Sequence, residues 1–108
     1  MIAEREIESI SQGWIQEFES QSFPAERDEA GFVLKLDELV YQSPDIAFQI
    51  IKTIATKNLS MWASEGLGVG PLRTLMALNP GTYTQELNKL CSSSKKFNVI
   101  HQMALDGL

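Results

Sequence analysis

Apolar residues recur every three or four positions along most of the chain. That spacing draws one face of an α-helix, and no stretch alternates strictly enough to read as a strand. Over about residues 2–20, Ala3, Ile7, Ile10, Trp14 and Phe18 form one stripe, with Glu4, Glu8 and Glu19 on one flank and Glu6 and Glu17 on the other. Gly13 interrupts this helix. A mid-helix glycine costs about 1 kcal/mol relative to alanine, and close packing of a neighbour against it is the expected reason for its presence. Ser22-Phe23-Pro24 breaks the pattern, and the polar residues 25–30 read as a turn or a short helical piece.

A second helix is expected over about 31–42, with Phe32, Leu36, Leu39 and Val40 facing inward. Ser43-Pro44-Asp45 then forms a start signal. Ser43 suits the cap, Pro44 the first helical position and Asp45 the positive end of the helix dipole. The third helix carries Ala47, Phe48, Ile50, Ile51, Ile54 and Ala55, an apolar face wide enough to touch neighbours on several sides, so it is expected at the centre. Ser60 can cap a short fourth helix. Gly66-Leu67-Gly68-Val69-Gly70-Pro71 reads as a tight loop, with Pro71 opening a fifth helix that Asn79-Pro80-Gly81 stops. Thr82 and Ser94 can cap a sixth and a seventh. The short connections predict a compact all-α bundle of six to seven short helices in a single domain, residues 1–108, with helices 2–3 and 6–7 packed as hairpins.

Candidate chemistry changes this picture little. His101 is the only histidine, and no metal-ligand spacing surrounds it. Cys91 is the only cysteine, so it forms no internal disulfide and reads as a structural thiol. The glycine run has neither the preceding strand of a dinucleotide fingerprint nor the Lys-Ser/Thr pair of a phosphate loop. Paired carboxylates such as Asp28/Glu29 and Asp37/Glu38 read as surface residues, not as an acid–base couple in a cleft. Lys89, Lys95, Lys96 and Arg73 are too sparse for a nucleic-acid footprint. Trp14 reads as core and Trp62, on its short helix, is expected to be core too. No catalytic residue, cofactor or metal is expected. Without a signal peptide or a long apolar run, the sequence reads as cytoplasmic, with no membrane segment.

Charge is more informative. The chain carries a net −5, but residues 1–45 hold eleven acidic against three basic side chains, whereas residues 46–108 hold three against six. An acidic half repels nucleic acid and membrane surfaces and steers basic proteins toward itself.

The run Ser43-Pro44-Asp45-x-Ala47-Phe48 with Ile51 and Ile54, the segment Gly70-Pro71-Leu72-x-x-Leu75, and the closing helix with Phe97 and Ala104 together resemble an uncharacterised bacterial family of small α-helical domains. The resemblance spans about residues 14–105, and its motifs concern helix starts and packing. Val69 and Arg73-Thr74 depart from the family pattern. Small acidic helical proteins of this kind look like the immunity partners of bacterial toxins, including those of contact-dependent growth inhibition. The resemblance implies an inhibitor that binds a cognate basic toxin. A nuclease is the expected toxin, because an enzyme whose substrate is a polyanion is itself basic. The expected partner-binding residues are Glu4, Glu8, Glu17, Glu19, Glu26, Asp28, Glu29, Asp37 and Glu38. The alternative is a helical adaptor that takes a partner helix in an apolar groove, with the charge serving solubility.

Overall fold

The computed structural model describes residues 4–20 and 31–106. Ala3, the break at Phe23-Pro24 and the polar stretch 25–30 lie outside the described residues. Within them the chain is all-α: α1 (Glu4–Ser20), α2 (Phe32–Gln42), α3 (Pro44–Ala55), α4 (Met61–Leu67), α5 (Arg73–Leu78), α6 (Thr84–Ser93) and α7 (Lys95–Asp106). No helix among the described residues is long and apolar enough to cross a membrane.

Helix α3 is the centre. Its six inward residues, Ala47 to Ala55, are all buried, and the helix touches α1, α2, α5 and α7. Helix α1 lies against α2 and α3, α2 packs with α3, and α6 packs with α7. Ile10, Trp14 and Phe18 bring the α1 stripe into the core, as its periodicity predicts. Gly13 is explained by α2: a Cβ at this position would overlap the Phe32 ring. This contact also corrects the reading of α2. Phe32 remains 41 % exposed, and Val33 joins Leu36 and Val40 in the core instead.

The joints show which capping signals operate. Ser60 accepts the Ala63 N–H at 3.0 Å and Ser94 accepts that of Phe97 at 3.1 Å, so both cap as expected. Ser43 does not cap with its side chain. It is the single residue between α2 and α3, and its backbone closes both helices by donating to Leu39 O and accepting from Ala47 N–H. That double duty holds it at φ −147°, ψ 72°, away from the extended cap geometry of Ser60 (φ −67°, ψ 165°). Thr82 does not cap α6 either. The turn continues through Gly81, at φ +79°, and α6 starts at Thr84.

The largest departure from the sequence reading is at the glycine run. Gly66 to Pro71 is not a loop: α4 passes into α5 through a π-helical turn, Gly68–Leu72. The Arg73 N–H bonds to Gly68 O, five residues back. Pro71 has no N–H to give to an i−4 carbonyl, and its ring would collide with that carbonyl in a regular α-helix. The wider π-turn relieves both problems and lets the helix continue. Gly68 serves a second purpose, since a Cβ there would stand 2.5 Å from the Ile100 backbone oxygen. Its absence lets α7 pack directly on the turn.

Candidate functional site at the π-turn

The π-turn pushes Val69 outward to 39 % exposure and leaves open space above Gly70. Three clefts of about 250–310 Å³ meet there. The first is floored by Trp14 and Phe18 of α1, walled by Val33 of α2 and Pro71, and flanked by Trp62, with Asp37 and Glu65 among its lining residues. The second runs from Glu65 and Val69 past Arg73 to Met103 and Asp106 on α7. The third runs from Asp37 and Gly70 to Tyr41 and Thr74. The first cleft shares Glu65 and Val69 with the second and Asp37 and Gly70 with the third, so the three adjoin as one trough across the turn.

Its electrostatics follow from the elements that meet there. Asp37 comes from α2, Glu65 from the last turn of α4, and Asp106 from the end of α7, with Arg73 as the one cation among the described lining residues. Arg73 is committed within the fold. Its Nε donates to Ala104 O at 3.0 Å and its Nη2 to Met103 O at 3.2 Å, closing the C-terminal carbonyls of α7. Among its described residues the trough therefore carries more acidic than basic side chains and is partly aromatic. Trp14 stacks on Phe18 with centroids 4.7 Å apart, and Trp62 lies 5.5 Å from Phe18. Trp62 is 46 % exposed, so the expectation that it belongs to the core is corrected: Phe18 holds only part of its ring. In the floor, the buried Trp14 Nε1–H has no hydrogen-bond acceptor among the described residues, a costly arrangement for a buried donor.

The nine acidic residues expected to bind a partner fall into different environments. Glu4 is exposed in the first turn of α1. Glu8 pairs with Lys57 at 2.6 Å, and that hydrogen bond, helped by Gln12, holds its carboxyl below the usual range. Glu17 accepts the N–H groups of Phe32 (2.7 Å) and Val33 (3.2 Å), capping α2 from α1. Glu19 accepts the Ser60 N–H at 3.0 Å and its hydroxyl, bracing the start of α4. Glu26, Asp28 and Glu29 lie outside the described residues. Asp37 and Glu38 are exposed on α2, and Asp37 reaches the trough. At least three of the nine thus make specific contacts within the fold, and Asp37 also lines the clefts. Sequence reasoning missed Glu65, Asp106, Trp62 and Val69 as trough residues. The available signal was the glycine–proline run, once read as a widened helical turn and not as a loop.

The structure also joins two residues that the sequence keeps apart. Cys91 Sγ and His101 Nδ1 lie 3.3 Å apart between α6 and α7. Burial pushes the thiol pKa up and the imidazole pKa down. Both shifts oppose the thiolate–imidazolium pair that a nucleophilic cysteine requires, so the contact reads as a neutral hydrogen bond that fastens α6 to α7. Among the described residues no group of three or more His, Cys, Asp or Glu side chains could hold a metal ion. Comparisons of the chain with known protein families, curated proteins and solved structures find no match.

Proposed function

We propose that this chain is a protein-binding domain of immunity type, which neutralises a cognate basic toxin, a nuclease, by offering it carboxylates, and that it performs no chemistry of its own. The observation that carries the reading is the trough at the π-turn. Asp37, Glu65 and Asp106, from three helices, line its adjoining clefts, and Arg73, the one cation among the described lining residues, is engaged with backbone carbonyls. Glu4 and Glu38 add exposed negative charge elsewhere, in keeping with the acidic N-terminal half. Such a surface speeds encounter with a basic partner and disfavours acidic ones. The resemblance to small immunity-like domains points the same way, as analogy.

A second reading, a helical adaptor, draws on the apolar part of the same region, where Met61, Trp62 and Val69 are exposed on one continuous helix. Salt separates the two readings. Binding through exposed carboxylates weakens strongly between low and high salt, whereas apolar groove binding does not. The test is co-expression with candidate basic nuclease toxins, followed by affinity measurement at two salt concentrations. Suppressed toxicity with salt-sensitive binding supports the inhibitor. A salt-insensitive complex without protection supports the adaptor and sinks the inhibitor reading.

A further inference from the structure

The trough is more specific than a patch of negative charge. Its first cleft, about 250 Å³, lies below the range of roughly 300–1,000 Å³ that encloses small-molecule ligands, which suits one long side chain. Its walls at Val33, Val69 and Pro71 are apolar, as an aliphatic stem requires. Trp62, about half exposed at the cleft, is the best side chain for attracting a cation to its face. Glu65, on the same α4 helix, lines this cleft with Asp37, and Asp106 lines the adjoining one.

We propose that this cleft receives a single arginine side chain from a basic protein partner, with its stem along Val69 and Pro71 and its guanidinium on Trp62 beside Glu65. Arginine is favoured over lysine because its guanidinium is planar, weakly hydrated and able to stack on an aromatic ring while bonding a carboxylate. The inference rests on the reading of the chain as a binder of a basic partner, and it names the contact.

The test is NMR titration of the ¹⁵N-labelled full chain with N-acetyl-arginine methylamide. The neutral isostere N-acetyl-citrulline methylamide and N-acetyl-norleucine methylamide serve as controls. The expected result is saturable movement of the Trp62 indole N–H and the Val69 and Gly70 amides with the arginine compound. Citrulline should bind about tenfold more weakly, since it loses both the ion pair and the cation–π contact. E65Q should weaken arginine binding about threefold, and W62L should do so comparably, with the rest of each spectrum unchanged. Norleucine binding as tightly as arginine, shifts spread over all surface carboxylates without saturation, or no effect of E65Q and W62L would each overturn the proposal. A basic toxin bound equally well by the wild type and by both variants would overturn it while leaving the inhibitor reading intact. Arginine binding at Trp62, with no protection against the co-expressed toxin, would reject the inhibitor reading and retain the cleft.

Discussion

The Glu17 carboxylate of α1 accepts the backbone N–H of Phe32 at 2.7 Å and, through its other oxygen, that of Val33 at 3.2 Å. Gly31, which precedes α2, has no side chain with which to cap it, so an acid fifteen residues earlier satisfies the free donors at the positive end of the helix. Glu17→Ala is expected to destabilise the fold by about 1–2 kcal/mol, the usual cost of a lost cap. Glu17→Gln, which keeps an acceptor oxygen, should lose less. Urea denaturation of the three proteins measures this, and equal stability of Glu17→Ala and wild type would show that α2 does not need the cap.

The two glycines flanking Val69 should respond in opposite directions. Gly68→Ala places a methyl against the Ile100 backbone oxygen, which cannot rotate away, so a loss of about 1–3 kcal/mol is expected from overpacking. A Cβ at Gly70 meets nothing within 4 Å, and Gly70 does not have positive φ. Gly70→Ala should therefore be neutral or gain up to about 1 kcal/mol from helix propensity. Thermal melts of the pair test the π-turn directly. In an ordinary loop between two helices, both changes would be tolerated.

Gly13→Ala is expected to destabilise although alanine is the better helix former, because the Phe32 ring occupies the space. Combining it with Phe32→Ala should remove most of the added penalty. A double-mutant cycle showing simple additivity would mean that the two residues do not constrain one another.

Tyr83 ties α6 to α3. Its hydroxyl donates to Asp45 Oδ1 at 2.7 Å, and its ring lies 4.6 Å from that of Phe48. Burial, reinforced by Asp45, pushes its pKa from 10.0 up to about 12. The folded state therefore holds the phenol proton more tightly than the unfolded chain does. The stability this contributes is fully present below pH 10 and is lost as pH rises from there through about 12. Alkaline denaturation should show that loss for the wild type, and Tyr83→Phe should flatten it over the same range.

At the other end of the pH scale, His101 has its pKa lowered from 6.5 by burial. The neutral ring favours the fold above pH 6.5, and the contribution disappears as pH falls through the lower folded value. The imidazole titration followed by NMR should lie below that of the unfolded chain. With its pKa raised, Cys91 should alkylate more slowly at neutral pH than the same thiol in urea. Faster alkylation in the folded protein would reverse the assignment of a neutral pair.

Helix content, the central place of α3, the α1 stripe and the Ser60 and Ser94 caps were legible in the sequence, because each depends on periodicity or on residues within one helical turn of each other. The glycine–proline run reads as a loop because glycine and proline usually end helices, and only packing against α7 shows why a widened turn is favoured here. Acidic composition was equally legible, but not its division of labour. Glu17 and Glu19 became caps for distant helices and Glu8 paired with Lys57, whereas Glu65 and Asp106, from the less acidic half, joined Asp37 at the trough. Sequence alone determined which residues could form helices and how much charge they would carry. The tertiary structure decided which carboxylates cap or pair with distant helices and which line the clefts at the π-turn, because both join groups that only the packing of separate helices brings together.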